Sequence, residues 1–299
     1  MLIRLQLAFL FALLLIPSGA PLAEMEFLGR LSGIIGAERE TNKQNSTGGN
    51  GGFHGGPEAM LVLPIPFTPV GFQVNGSFVG GDGDRRFGIS GGPIVGWNGP
   101  VGGKAGLFFV YQNRKYFGSC SSENDSISFH QSWIRAATSF YLPNTNVDFW
   151  VSQTVSPKTK EMSCEEDHIK VFQGVNQARL MVNFFPAIVV PFLAPRPGNL
   201  EVSLGVDTQN LWGAGYDRFG PSVGPAAGLA FMPLQNLEVM LVRGFYDVNH
   251  GKYKVNSGIH YYLNFWGKNP APTLLELRRK YLEPTLEPGN VNTGWGRKF

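Results

Sequence analysis

Three arginines stand among apolar neighbours: Arg135 between Ile134 and Ala136, Arg179 between Ala178 and Leu180, and Arg243 after Val242. Successive side chains of an extended chain point to opposite faces. If Ile134, Ala136, Ala178, Leu180, Val182, Met240 and Val242 form one apolar face, then Arg135, Gln177, Arg179 and Arg243 share the other, together with Asp148, Glu201 and Asp207. Such a face could select anions, as charged rings do in pores. The same arginines could instead pair with the acids and fill an interior, and the sequence holds both readings open.

Two further groups carry potential chemistry. Cys120 and Cys164 are the two cysteines, each in a polar stretch, and two intervening strands would return the second loop to the side of the first. An oxidising compartment would let them bridge. Cys164 with Glu165, Glu166, Asp167 and His168 could be imagined around a metal, but a loop run of acids is usually solvated, so no metal and no cofactor is expected. His130 and Ser132 lie two apart on one strand face, and this His-x-Ser spacing resembles that of the outer-membrane lipid A deacylases, in which a histidine activates a serine. The flanking Phe129 and Trp133 do not extend the match, so the pair reads as polar residues near a strand end. No Gly-x-Ser-x-Gly elbow, Walker loop or paired-histidine motif is present. An enzyme is not expected.

The elements that must hold these residues are strands. Period-two alternation is clean at 200–208, where Leu200, Val202, Leu204 and Val206 oppose Glu201, Ser203, Gly205 and Asp207, and at 71–78, where Phe72, Val74 and Phe78 oppose Gln73, Asn75 and Ser77. The pattern predicts twelve strands: 25–40, 58–66, 70–80, 86–97, 103–117, 127–142, 147–158, 169–185, 200–211, 222–232, 237–248 and 253–266. Connections at 67–69, 98–100, 143–146 and 233–236 are short and rich in turn residues, whereas 41–57, the two cysteine loops and 214–218 are longer and polar. The long, apolar connection 186–199 breaks this rule, as do 82–84 and 249–251, which are short although they belong to the second set. After Pro270 and Pro272, Leu274, Leu275, Leu277, Tyr281 and Leu282 interleave with Glu276, Arg278, Arg279, Lys280 and Glu283, which predicts one short amphipathic helix ended by Pro284.

Composition fits strands that alternate between two media. Charged residues make up 16%, below the roughly 25% of soluble proteins, and 39 of 299 residues are glycine, nearly twice the usual share of about 7%. Aromatics reach 13%, led by 23 phenylalanines. Residues 1–23 read as a secretory signal peptide: Arg4, an apolar run from Leu5 to Ile16, then a small-residue stretch. No later run approaches the roughly 20 apolar residues of a membrane helix, so any crossing must use a closed barrel. The net charge of +3 forms no patch, and no nucleic-acid partner is expected.

The stretch 253–266 carries Asn256, Gly258, Tyr261 and Leu263 in a polar-x-Gly-x-x-hydrophobic-x-hydrophobic pattern, followed by Phe265 and Trp266. It resembles the closing strand of bacterial outer-membrane β-barrel proteins, although about thirty residues follow it here. The resemblance implies an all-β fold: a closed antiparallel transmembrane β-barrel of about 12 strands with a short C-terminal periplasmic helix. The expected division is a signal peptide (1–23), a barrel (24–267) and a periplasmic tail (268–299). It also implies an outer-membrane location, contact with outer-membrane lipid and recognition by the barrel-assembly machinery. The expected function is a narrow passive channel or structural barrel for small polar or anionic solutes. A surface adhesion or scaffold barrel is the alternative, with a lipid-modifying hydrolase third, since fold alone decides no function.

Overall fold

The computed structural model describes residues 25–40, 52–81, 84–98, 101–117, 126–155, 160–164, 167–171, 176–209, 222–248, 252–263 and 272–282. Its strands are β1 (Leu28–Glu40), β2 (Gly52–Pro64), β3 (Val70–Gly81), β4 (Asp84–Trp97), β5 (Gly102–Phe117), β6 (Ser126–Leu142), β7 (Thr145–Thr154), β8 (Lys160–Cys164), β9 (Asp167–Val171), β10 (Gln177–Phe184), β11 (Leu200–Gln209), β12 (Ser222–Leu234), β13 (Leu237–Asp247) and β14 (Lys252–Leu263). A single helix is described, α1 (Leu274–Arg278).

Twelve of the strands close on themselves in the order β1-β14-β13-β12-β11-β10-β7-β6-β5-β4-β3-β2. Antiparallel pairing of β1 with β14, from Gly29 opposite Leu263 to Glu40 opposite Lys252, makes the seam. Closure leaves no strand edge without a partner, which is what hydrocarbon demands of a spanning sheet. The strand with the closing-strand pattern is therefore the one that shuts the barrel. The other two strands, β8 and β9, form a separate hairpin within the connection between β7 and β10.

Alternation sorts the two faces. Phe72, Phe78, Phe87, Ile89, Phe109, Leu180, Val182, Phe184, Leu204 and Ile259 are exposed on the outside, while Gln73, Asn75, Ser90, Gln112, Arg179, Asn183 and Ser203 on the same strands are buried inside. An exposed apolar belt around a polar interior is the inverse of a soluble protein and the arrangement that lipid requires.

Three departures from the sequence reading reshape the wall. β2 starts at Gly52 rather than 58, because the glycine-rich tract continues the ladder with β1. The expected strand 169–185 is divided: 167–171 belongs to the β8–β9 hairpin, and the wall strand β10 begins at Gln177. Met240, placed outward by simple parity, is 7% exposed and faces inward. A β-bulge is the cause: Met240 pairs with Gly258 and Arg243 with Asn256, so Leu241 and Val242 together oppose Ser257. The extra residue restores Arg243 to the inner face, as bulges do when they re-aim side chains.

Connections sort by end. Turns 65–69, 98–101, 143–144 and 235–236 join strands at one end of the barrel, and so does the longer segment 185–199. The tail returns to this short-turn end. Thr273 caps α1, its hydroxyl accepting from the Glu276 backbone while the Glu276 carboxylate accepts from the Thr273 backbone. The helix is amphipathic as predicted, but instead of hanging beyond the barrel it is seated in its mouth. Leu274, Leu277, Tyr281 and Leu282 are buried in one cluster with the wall residues Leu28, Met60, Val62, Ile94, Phe108, Phe185 and Met232. At about 1.5–3 kcal/mol for each large apolar side chain, this burial dominates the attachment.

Candidate functional site

The site is built where α1 meets the wall. Arg278, itself buried, donates through Nε to Glu201 Oε2 at 2.6 Å on β11 and through Nη2 to Glu238 Oε1 at 2.6 Å on β13. Its Nη1 reaches the hydroxyls of Tyr281 and of Tyr262 on β14, the latter at 3.1 Å. Tyr262 in turn donates to Glu238. Burial works against the charge on Arg278, and the Glu201 and Glu238 carboxylates outweigh it, holding the guanidinium protonated well above its ordinary range. One plug residue thus ties together three wall strands.

The rest of the tail is bonded around the rim. Leu274 N donates to Asn199 Oδ1 at 3.2 Å and Leu275 N to Gly198 O at 3.0 Å. Gly198 has a φ of 79°, a conformation a side chain would strain. Arg279 donates to the carbonyls of Leu142 and Pro143 in the β6–β7 turn, and Lys280 pairs with Glu26 at 2.8 Å. The side-chain amide of Gln73 exchanges two hydrogen bonds with the backbone of Leu282.

Farther from the plug, a polar band crosses neighbouring strands. The Arg135 guanidinium on β6 lies 3.9 Å from the ring centre of Trp150 on β7, and that of Arg179 on β10 lies 5.3 Å from the same ring. Arg179 Nε also donates to Asp207 Oδ2 on β11 at 2.9 Å. Asp148 accepts from Ser139 and Asn183. Across the seam, His54 Nε2 and Asn256 Oδ1 lie 2.9 Å apart over Gly36, where a Cβ would come within 2.2 Å of the Asn256 oxygen. Only glycine leaves room for that bond.

The seven residues singled out for the interior are placed as follows. Arg135, Gln177, Arg179, Glu201 and Asp207 are buried, and Asp148 and Arg243 are half-buried. Glu201 is the hub that sequence could not foresee: it accepts from Arg278 and from Ser203, and lies 3.6 Å from Arg243. Arg243, Arg179, Lys254, Asn256 and Phe245 border a cleft with room for a water-sized group, and Lys254 stands opposite Glu38 in the seam ladder.

Residues missed by the sequence reading are Arg278, Glu238, Tyr262, Tyr281 and Gln73. A usable signal did exist. Met60-Leu61-Val62-Leu63 and Leu107-Phe108-Phe109-Val110 are apolar without alternation, which means two apolar environments and hence something apolar inside the barrel.

His130 is exposed and, at odd spacings of three and five residues from the inward Trp133 and Arg135, lies with Ser132 on the outward face of β6. Its Nδ1 lies 2.6 Å from the hydroxyl of Tyr111, on which its ring also stacks. Its described partner is thus Tyr111 and not Ser132. Cys120 and residues 165–166 lie outside the described residues, as do the side chains of Cys164, Asp167 and His168, and so do residues 1–24. Among the described residues no three His, Cys, Asp or Glu side chains come together as a metal site.

No protein-family model matches the chain, and no curated protein matches it. Solved structures do. The outer membrane channel from Pseudomonas putida F1 superposes with a TM-score of 0.50 at 10% identity, over 83% of this chain and 99% of that one. The fold is that of a bacterial outer-membrane β-barrel. The translocator domain of the autotransporter NalP from Neisseria meningitidis aligns over 88% of this chain and 95% of its own at 9% identity, with a TM-score of 0.47. The closed sheet and its apolar belt place the protein in the bacterial outer membrane.

Proposed function

We propose that the protein is a narrow outer-membrane channel for small polar solutes, anions among them, shut at its short-turn, periplasmic end by its own C-terminal segment, and that it is not an enzyme. The observation that carries the reading is the seating of α1 between Glu201 and Glu238 through Arg278. A stopper that is not part of the wall can leave without breaking any ladder hydrogen bond of the barrel. Behind it, Arg179, Arg243 and Lys254 border a cleft, which supports the anion preference.

A second reading, a filled structural or scaffold barrel, draws support from the pairing of interior charges such as Arg179 with Asp207. Planar-bilayer recording separates the two. The full chain should be nearly silent, and Leu274→Asp/Leu277→Asp, which makes the plug incompatible with its apolar seat, should conduct with anions favoured over cations. Adding Arg135→Ser, Arg179→Ser and Arg243→Ser should then abolish the preference. A folded Leu274→Asp/Leu277→Asp barrel that stays silent would establish the filled barrel instead.

A further inference from the structure

The short-turn end carries apolar residues where turns usually carry polar ones. In the β10–β11 connection Ile188, Val189 and Leu193 are about half exposed and Phe192 is 91% exposed; in the β2–β3 turn Ile65 is half exposed and Phe67 is 97% exposed. Neither 186–195 nor 65–70 contains a charge. Phe67 and Phe192 also share an unusual backbone, with φ of 59° and 66°. A bulky residue in the left-handed region is an outlier, and strain of this kind persists where it holds a side chain in a required place. Two separate turns at one end of the barrel hold a phenylalanine this way and turn it outward.

We propose that these two turns are a lipid-binding surface, lying at the headgroup boundary of the phospholipid leaflet at the short-turn end, with Phe67 and Phe192 as its anchors. Continuity with the belt identifies the occupant. Leu180, Val182 and Phe184 form the outward row of β10, and the chain passes from them into Ile188, Val189, Phe192 and Leu193 with Phe185 as the one buried large side chain between. The apolar surface that meets hydrocarbon along the strand therefore runs on past its end, where aromatic side chains are favoured at the membrane–water interface. The same connection holds the stopper: Gly198 and Asn199 accept the first amides of α1, and Arg196 donates to Pro272 O at 3.1 Å. Lipid contact at 188–193 therefore braces the plug, and this holds whether or not the lumen conducts.

The test uses the full chain in phosphatidylethanolamine/phosphatidylglycerol vesicles containing a phospholipid with a diazirine near its headgroup. After irradiation, peptides covering 65–69 and 186–195 should carry lipid adducts at levels comparable to the outward residues of β10, and several-fold above the turn at 235–236. Adducts confined to the strands would overturn the proposal. So would cross-links between two copies, or adducts that vanish when periplasmic extract is added, since these assign the surface to protein. Phe192→Ser in the same vesicles should speed tryptic cleavage at Arg278 and Arg279 several-fold while the barrel keeps its heat-resistant mobility on gels. Unchanged cleavage would remove the brace.

Discussion

Gln73 reads the backbone of Leu282 as one peptide reads another: its Nε2 donates to Leu282 O at 2.9 Å and its Oε1 accepts from Leu282 N at 3.0 Å. The two residues are 209 apart in the sequence, and the pairing registers the tail against β3 without regard to the Leu282 side chain. Gln73→Glu removes the donor and sets a carboxylate against a carbonyl. It should cost about 1–3 kcal/mol and loosen the end of the tail, detected as faster proteolysis there. A Gln73→Glu protein with wild-type tail protection would show that the pairing contributes nothing.

Arg278 is held by two carboxylates in a buried setting. Removing it takes the nearest counter-charge from both, leaving Glu201 with Arg243 at 3.6 Å and Ser203, and Glu238 with the Tyr262 hydroxyl, so Arg278→Met should destabilise by about 3–5 kcal/mol. Adding Glu201→Gln and Glu238→Gln should recover most of the loss, because the uncompensated charge is gone. Denaturant midpoints in detergent measure both. If the triple variant is as unstable as Arg278→Met, the penalty comes from lost packing instead of lost charge balance.

The bulge in β13 makes an unusual statement about deletions. Leu241 and Val242 both face Ser257, so deleting Leu241 leaves Met240 and Arg243 inward and a regular strand. Deleting Val239 instead sets Glu238 beside Met240 and forces one onto the outer face, with Glu238 torn from Arg278. The first deletion should still yield a heat-modifiable barrel, and the second should not. Equal yields of folded protein from both would contradict the assigned bulge.

Cys120 and Cys164 are expected to be bridged, the first following β5 in the chain and the second following β7. Mass spectrometry of non-reduced peptides should recover residues 115–127 linked to 159–169. Free thiols on both, after export to an oxidising compartment, would refute the bridge.

Most of the barrel was legible because a strand with one face in lipid and one in a polar interior must alternate, and β11 does so over its length. Met240 was not legible, since a bulge adds a residue that only the ladder partners of β13 can reveal. The boundary of β10 failed for a similar reason: an alternating stretch at 167–171 pairs with β8 instead of the wall. Of the site, the arginines and acids of the wall could be read from parity. Their partner could not, because the amphipathicity of 274–282 says that one face will be covered and is silent about what covers it. Parity also misleads near the plug, where Met60 and Val62 are as apolar as the lipid-facing Leu61 and Leu63.

The seat of the tail has a kinetic consequence. Gln73 stands on β3, Glu201 on β11, Glu238 on β13 and Tyr262 on β14, on both sides of the β1–β14 seam. No incomplete sheet presents all four, and contacts so far apart in sequence form only after the intervening loops are closed. Tail docking is therefore the last event of assembly, and a chain whose seam is still open keeps residues 272–282 within reach of periplasmic proteases. The same short helix that shuts the finished barrel marks the unfinished one for removal.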